Sequence, residues 1–363
     1  MANGDNANVT LAMVRAGTHC FQLDTATTSN HVKAVQKALM MYGYRPGGNP
    51  DGKYGAGTQA AVKGFQNEKG LTITGKVDQS TLSMLESWSG TLYDTPTATP
   101  SLSTVRIGMD YYHVGDSGSV VYEICQLLQA KGIACSLTNS YTNNVKSAVQ
   151  QFQSSVGLTA DGYVGQGTLA ALEDNTSDTG WISGTTVNLK AGKLARAGFV
   201  KIMLRPDIVA KLNLALNTYQ INTKQKVRHF LAQCMQETGG GNSLTENSYK
   251  PGIGNDQDYS PYCGAGLIQL TWQDAYNAYK NYKGDVKILT PDVYATQHVA
   301  IAYPADSAGW YWDVYKHFND NSVLDWSQTD QYICNKLTKS ISGSTASQSQ
   351  RWAHFQNISA VLL

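Results

Sequence analysis

The first half of the sequence contains an internal repeat, and this repeat constrains the fold more than any other feature. Residues 31–85 are similar to residues 121–172, and Phe65 corresponds to Phe152 at a shift of 87 positions. The shift changes by two residues within the first loop, where the second copy is shorter. Such self-similarity is typical of two copies of one small structural unit, so we expect a modular chain and not one continuous core.

The sequence of each copy predicts three short helices, because apolar residues recur at helical spacing in three stretches. In the first copy these residues are Val32, Val35 and Leu39, then Ala61 and Phe65, then Leu82 and Leu85. Gly70 and Gly157 are typical of a helix end in the left-handed region, and Asp78 is expected to cap the last helix of the first copy. The spacing therefore predicts two three-helix bundles.

These motifs resemble the type 1 peptidoglycan-binding domain. The family pattern has a Q-x-x-L helix, a D-G-x-x-G-x-x-T turn and an A-V-x-x-F-Q helix, followed by G-L. The first copy carries all of it between Gln36 and Leu71, whereas the second has residues 138–141 in place of the Asp-Gly turn. The resemblance implies that the first copy binds the cell wall through Asp51, Gly52, Tyr54, Gly55 and Thr58. Whether the second copy binds a ligand, or either copy is only a spacer, stays open.

Two stretches without helical or alternating periodicity separate three regions of the chain. Residues 87–100 are rich in Thr, Pro and Ser, and a second break runs from residue 173 to about residue 193. We therefore predict one repeat at 21–89, a second repeat at 107–175 and a C-terminal domain at 193–363. The last region has the size of one domain.

Composition and charge restrict the partners and the location of the chain. Lys and Arg number 28 against 27 Asp and Glu, so the net charge of +1 argues against nucleic acid as a partner. Because the N-terminus lacks the basic and apolar stretches of a secretory signal and no run approaches a membrane span, we expect a soluble protein made in the cytoplasm without Sec export.

The six cysteines lack metal-binding spacing. We expect reduced thiols, with a Cys125–Cys135 pair left open, no metal, no cofactor, no membrane span and a monomer.

The C-terminal domain contains a predicted helix that ends beside a carboxylate. From a Thr223 cap, the apolar stripe consists of Val227, Phe230, Leu231, Cys234 and Met235, and residues 239–241 are three glycines that end the helix. Glu237 continues this stripe in the last helical turn. Desolvation and the negative end of the helix dipole are expected to raise its pKa, which suits a general acid.

A second carboxylate, Glu246, follows nine residues later, beyond the glycines. On a continuous helix the two groups would lie ~13.5 Å apart, too far to share a substrate. If the glycines let the chain fold back, a separation of ~6.5 to 9.5 Å becomes possible, with room for one water molecule. That arrangement is typical of glycoside hydrolysis with inversion. The alternative is that either glutamate is an ordinary surface residue.

Three blocks in this order resemble glycoside hydrolase family 19, the chitinases and phage endolysins of lysozyme-like fold. They are F-L-A-Q-x-x-x-E-T-G-G at residues 230–240, Glu246-Asn247, and G-x-G-x-I-Q-L-T at residues 264–271. The resemblance implies that Glu237 is the general acid, Glu246 the general base and Thr271 a water-holding hydroxyl. The residues expected to bind substrate are Gln269, Tyr276, Asn247 and Tyr262.

The chain departs from the family pattern at several positions. Gln236, Ala265 and Leu267 stand where the family commonly has His, Arg and Pro. The late Asn-Gly-Gly element is replaced by Ser340-Ile-Ser-Gly343, and Arg351 is a possible match to the basic residue that follows it. The loss of one guanidinium affects the expected buttressing of the carboxylates, but both glutamates and Thr271 remain.

The sequence as a whole predicts a mainly α protein with two three-helix peptidoglycan-binding bundles and an α-helical, lysozyme-like catalytic domain. The expected function is that of an endolysin-type hydrolase that cuts β-1,4 bonds of bacterial peptidoglycan by inversion after release to the wall. The alternatives are a chitinase and a wall-binding structural protein without activity. A cysteine peptidase using Cys234 or Cys263 with His229 or His298 is a remote alternative, because Cys234 lies within the apolar stripe.

Overall fold

The computed structural model describes residues 6–44, 50–92, 100–174, 181–246, 249, 255 and 257–363, and divides the chain into two compact units. Unit 1 comprises Met1–Thr104, Thr245–Ala265 and Thr271–Ala302, and unit 2 comprises Val105–Leu244, Gly266–Leu270 and Tyr303–Leu363. The first repeat therefore belongs to unit 1 and the second to unit 2. The domain boundaries expected from the sequence remain predictions.

Helices dominate the described part of the chain, which confirms the predicted mainly α fold. The α-helices are α1 (Leu11–Arg15), α2 (Asn30–Tyr42), α3 (Ala56–Glu68), α4 (Gln79–Ser89), α5 (Leu102–Arg106), α6 (Ser119–Ala130), α7 (Asn143–Ser155), α8 (Gln166–Glu173), α9 (Ala191–Arg196), α10 (Pro206–Thr218), α11 (Lys224–Thr238), α12 (Gln273–Lys283), α13 (Asp292–Ala302), α14 (Asp306–Trp310), α15 (Asp330–Ser342) and α16 (Gln348–Val361). Short 3₁₀ turns cover Asn6–Asn8, Lys201–Leu204 and Val286–Ile288, and one π-helical turn covers Tyr311–Tyr315. Strands β1 (Ile182–Ser183) and β2 (Thr186–Val187) form a small antiparallel pair.

The first repeat is built from α2, α3 and α4, as the apolar spacing predicts. The stripe residues form its core: Val32, Val35, Leu39, Ala61, Phe65, Leu82 and Leu85 are all buried. Asp78 caps α4 by accepting a hydrogen bond from the Thr81 backbone N–H at 2.9 Å. Gly70 lies just beyond α3 with φ of 66°, in the left-handed region where it was expected.

A buried amide, Gln36, holds the D-G-x-x-G-x-x-T turn of this repeat against α2. Its Nε2 donates, at 3.0 Å each, to Asp51 Oδ1, Lys53 O and Thr58 Oγ1. Its Oε1 accepts from the Gly52 backbone N–H at 2.8 Å. Because one side chain satisfies four polar groups, the motif encodes a hydrogen-bonded turn.

The structure assigns the residues of this turn to two different roles. Gly52, Tyr54 and Thr58 are buried, and the Tyr54 hydroxyl donates to the Gly75 carbonyl at 3.0 Å. These three residues, which we expected to contact the cell wall, are core residues that stabilise the repeat. Asp51 is exposed and Gly55 is partly exposed, so a contact of these two with the wall remains a prediction.

The second repeat is built from α6, α7 and α8. It also contains a buried glutamine, Gln153 on α7, which holds the turn between α7 and α8. Gln153 Nε2 donates to Asp161 Oδ1 at 2.8 Å and to Thr168 Oγ1 at 3.0 Å, and its Oε1 accepts from the Gly162 backbone N–H at 2.9 Å. Residues 161–168 read D-G-x-x-G-x-x-T. The sequence analysis placed the equivalent turn at residues 138–141, so it did not predict the turn at residues 161–168.

Unit 1 also contains α12 and α13, and a buried histidine links α13 to the first repeat. His298 Nδ1 lies 2.8 Å from Glu68 Oε2 on α3, and His298 Nε2 lies 2.8 Å from Asp285 Oδ2. Burial by itself lowers the pKa of His298, but the hydrogen bonds and charges of Glu68 and Asp285 outweigh burial and raise it above its ordinary value. When it is protonated, the imidazolium between two carboxylates stabilises the packing of α3 on α13.

The remaining part of unit 2 contains α11. This helix packs along α16, and α15 packs on α16 as well. All six cysteines of the chain are free thiols, so Cys125 and Cys135 are not bonded to each other. Among the described residues, no helix is both long and apolar enough to cross a bilayer, and no group of three or more His, Cys, Asp or Glu side chains is positioned to hold a metal ion.

Candidate active site

The predicted helix around Glu237 is present as α11. Thr223 caps its first turn by accepting from the Lys226 backbone N–H at 3.2 Å. The apolar stripe is buried along its whole length: Val227, Phe230, Leu231, Cys234 and Met235. The helix ends at Thr238, and the next residue, Gly239, has φ of 58°. Helix, cap and glycine end are therefore confirmed.

The glycines that follow α11 turn the chain and pack it closely on a neighbouring segment. Gly240 and Gly241 both have positive φ, at 75° and 95°. The Gly240 carbonyl accepts from the Val200 N–H at 2.8 Å, and the Gly241 carbonyl accepts from the Ile202 N–H at 3.1 Å. A Cβ at Gly241 would lie 2.8 Å from the Val200 carbonyl oxygen, so no larger residue fits without movement.

Glu237 forms an ion pair at the end of this helix. Arg351 Nη2 on α16 lies 2.6 Å from Glu237 Oε1, and Arg351 Nη1 donates to Gln233 Oε1 at 2.6 Å. The Arg351 side chain is 3% exposed and that of Glu237 is 19% exposed. A buried guanidinium thus fixes a carboxylate that still reaches the surface.

Tyr311 lies close enough to Glu237 for the two side chains to interact electrostatically. Burial, followed by the nearby Tyr315 and the charge of Glu237, raises the pKa of Tyr311 well above its ordinary value. Its phenol is therefore neutral at physiological pH and can donate a hydrogen bond. The sequence analysis did not single out this residue, because its position depends on the π-helical turn after α14.

Glu246, in unit 1, is held by three hydrogen-bond donors. Its Oε1 accepts from the Tyr259 hydroxyl at 2.6 Å and from Asn255 Nδ2 at 3.3 Å, and its Oε2 accepts from the Gly264 N–H at 3.2 Å. An antiparallel bridge between Thr245 and Ala265 brings the Gly264 segment to this carboxylate. Three donors satisfy an ionised carboxylate, which can only accept.

Tyr259 and Asn255 are functional candidates that the sequence analysis missed. Burial, together with the hydrogen bond to Glu246 and its charge, raises the pKa of Tyr259 to about 12. Its ring lies edge-on to the Trp272 ring, with centroids 5.2 Å apart. Trp272 is 57% exposed and has φ of 77°, a conformation that is costly for a bulky residue. An exposed aromatic surface therefore lies beside the donor that holds Glu246.

The residues expected to bind substrate occupy different environments. Tyr276 is fully buried, and its hydroxyl donates to the Cys263 carbonyl at 2.7 Å, so it supports the core of unit 1 and offers no surface to a ligand. Tyr262 is nearly buried, with its ring 5.4 Å from that of Tyr276. Gln269 is partly exposed, has φ of 55° and donates from Nε2 to the Gly266 carbonyl at 3.0 Å. Asn247 lies outside the described residues.

The two proposed catalytic carboxylates belong to different units, Glu237 to unit 2 and Glu246 to unit 1. Thr271 is a partly exposed residue of unit 1. The predicted separation of ~6.5 to 9.5 Å, with room for a water molecule, remains a prediction.

The thiols do not have the environment of catalytic cysteines. Burial, followed by the charge of Glu237, raises the pKa of Cys234 well above its ordinary value. Burial and the charge of Glu246 likewise raise the pKa of Cys263 to about 11. A thiol that stays protonated at neutral pH is a poor nucleophile. This chemistry argues against a cysteine peptidase.

Comparison with known families identifies the repeats. Residues 28–85 and residues 117–172 each match the family model described as "Putative peptidoglycan binding domain". The chain contains two copies of the type 1 peptidoglycan-binding domain. The matched segments include the Gln36 turn of the first peptidoglycan-binding repeat and the Gln153 turn of the second.

The likenesses to solved structures are weaker. The crystal structure of chitinase C from Streptomyces griseus HUT6037 is 22% identical over 42% of this chain and 83% of its own, with a TM-score of 0.32. A structure of a chitinase C mutant matches with the same identity and coverage and a TM-score of 0.31. No curated protein matches the chain.

Proposed function

We propose that this protein is a cell-wall hydrolase that cleaves the β-1,4 glycosidic bonds of bacterial peptidoglycan with inversion. The observation that carries the proposal is the match of both repeats to the peptidoglycan-binding domain, since it supports peptidoglycan as the polymer that the chain binds. The catalytic assignment is supported by the two carboxylates, each held in a defined environment within its own unit. No cofactor or metal is needed for this chemistry.

In this mechanism Glu237 is the general acid. Arg351 engages Oε1, so Oε2 is the oxygen that would carry the proton to the leaving glycosidic oxygen. Its partial exposure gives a substrate access, while the buried guanidinium and the end of α11 fix its orientation. Fixed orientation lowers the barrier because the proton donor does not have to be ordered during the reaction.

Glu246 is the general base that activates water. Its three donors fix the position of the carboxylate, and a general base accepts a proton from the attacking water. Thr271 would orient this water, because a hydroxyl both donates and accepts. Gln269, Tyr262 and Asn247 remain proposed substrate contacts, and Trp272 offers a ring for a sugar to stack on. Tyr276 is left out of the site because it is buried.

The two peptidoglycan-binding repeats would hold the enzyme on its polymer. Tethering raises the effective concentration of bonds around the catalytic residues without any new contact at the site. We propose an endolysin-type role, in which the enzyme is made in the cytoplasm and degrades the wall after its release.

The test is a comparison of Glu237→Gln with the full-length wild type on purified sacculi. We expect Glu237→Gln to abolish the release of reducing sugars while sacculus binding is unchanged. The matched control is Glu123→Gln, which removes an exposed glutamate of α6 and should keep full activity. Mass spectrometry of the wild-type digest identifies the bond, and proton NMR of fresh products reports the anomer. Activity retained by Glu237→Gln, retention of configuration, or cleavage of chitin but not sacculi would each contradict the proposal.

A further inference from the structure

A polar pocket of unit 2 has no role in the mechanism above. It has a volume of about 400 Å³ and lies between α15, α16 and the loop that joins them. Its lining includes the amides of Gln331, Asn335 and Gln348, the hydroxyls of Thr345 and Ser349, and the indole of Trp352. The volume falls within the range of small-molecule sites, roughly 300 to 1,000 Å³.

The chemistry of this lining selects a class of ligand. None of the described residues that line the pocket carries a charge, so it offers nothing to balance a phosphate or a carboxylate. Side-chain amides and hydroxyls both donate and accept, which is also the hydrogen-bonding capacity of sugar hydroxyls and of an acetamido group. An indole adds an apolar face on which a pyranose ring can pack.

The pocket walls are held in place before any ligand arrives. The loop after α15 is fixed by Ser342, whose Oγ donates to the Ser344 carbonyl at 3.0 Å. Gln348 Nε2 donates to the Asn335 carbonyl at 3.3 Å and so ties α16 to α15. The Trp352 ring stacks on Phe355, with centroids 5.2 Å apart and planes 12° from parallel. A prearranged site loses less conformational entropy on binding.

The pocket is connected to the proposed acid through one helix. Arg351, which contacts Glu237, and Trp352, which lines the pocket, are consecutive residues of α16. Consecutive helical residues point about 100° apart, so the two side chains leave α16 on adjacent faces. A glycan strand bound to this pocket would be held beside the helix that positions the acid.

We propose that this pocket is an accessory sugar-binding site that takes one neutral N-acetylhexosamine unit of a glycan strand. The three amides favour an acetamido sugar over a plain hexose. The uncharged lining favours the neutral amino sugar over its neighbour in peptidoglycan, whose lactyl group carries a peptide with charged groups. The ligand assignment rests on the proposed function, because that function supplies the amino-sugar polymer.

The experiment uses the full-length Glu237→Gln protein and a diazirine derivative of N,N′,N″-triacetylchitotriose as probe. After irradiation, mass spectrometry of the digested protein locates the labelled peptides. We expect label in the peptides that contain residues 331–335 and 345–352. Trp352→Ala should reduce this label, because it weakens trisaccharide binding at the pocket roughly fivefold, the effect of losing one aromatic contact. The matched control is Tyr332→Ala, which removes an exposed aromatic residue of α15 that does not line the pocket.

The outcomes separate this inference from the proposed function. Label confined to other peptides, or equal labelling in Trp352→Ala and Tyr332→Ala, overturns the site. Equal competition by cellotriose overturns the acetamido preference. Should circular dichroism reveal that Trp352→Ala is unfolded, Gln331→Ala provides the test, since this exposed side chain can be shortened without opening the core. The activity of Glu237→Gln on sacculi is measured separately and decides the catalytic role of Glu237 alone.

Discussion

Arg351 and Glu237, which lie 114 positions apart in the sequence, form an ion pair in which Nη2 is 2.6 Å from Oε1. The pair joins α16 to the last turn of α11, where the apolar stripe ends. The guanidinium also donates a hydrogen bond to Gln233. One buried cation therefore fixes two side chains of α11, the helix that carries the proposed acid.

Removal of this cation should destabilise unit 2. We expect Arg351→Ala to lower the free energy of unfolding by about 3 kcal/mol, because a partly buried carboxylate loses its partner. Chemical denaturation followed by tryptophan fluorescence measures the change, and hydrogen exchange of α11 amides localises it. Lys339→Ala, at an exposed position of α15, is the control. Equal stabilities of the two variants would mean that the ion pair contributes nothing.

Loss of the shortest hydrogen bond to Glu246 should slow catalysis. Tyr259→Phe removes the donor that lies 2.6 Å from Oε1 and leaves the ring beside Trp272 in place. We expect kcat on solubilised glycan to fall about tenfold with little change in KM, since a hydrogen bond to a charged group is worth about 1.5 kcal/mol or more. The control is Tyr282→Phe, a mostly exposed tyrosine of α12. A change in KM alone would place Tyr259 in substrate binding.

The turn amide should matter more for folding of the first repeat than for contact with the wall. Gln36→Ala deletes one donor group and one acceptor that together serve four partners. We expect a loss of about 3 kcal/mol, because buried polar groups of the turn are left unsatisfied. Hydrogen exchange of residues 50–58 measures it, with Lys37→Ala on the exposed side of α2 as control. Normal protection of the turn in Gln36→Ala would contradict this account.

The stabilising contribution of His298 to unit 1 should be lost as the pH rises. Its folded pKa is raised by Glu68 and Asp285, so its stabilising charge is fully present below the unfolded value of about 6.5 and is lost as pH rises through the raised value. The difference in Tm between wild type and His298→Gln should therefore be largest in mildly acidic buffer and shrink as pH rises. A difference that does not change with pH would show that His298 contributes only packing.

Local sequence patterns were sufficient for the helices and their ends. The stripe from Val227 to Met235, the Thr223 cap and the end at Gly239 depend only on residues within a few turns of each other. The same holds for the two repeats, whose apolar spacing predicted three helices apiece. Periodicity, capping and the conformational freedom of glycine act over short distances, so they can be read from the chain itself.

Tertiary structure alone decided which of the predicted site residues are accessible and what surrounds them. The burial of Tyr54 and Tyr276, the three donors around Glu246 and the pairing of Arg351 with Glu237 all depend on segments that are remote in sequence. The sequence of a D-G-x-x-G-x-x-T motif suggests a ligand-binding loop, but in the structure Gln36 forms hydrogen bonds with four polar groups of this turn. The physical reason is that desolvation and hydrogen-bond satisfaction are properties of packed surfaces, and no local pattern specifies which surfaces meet.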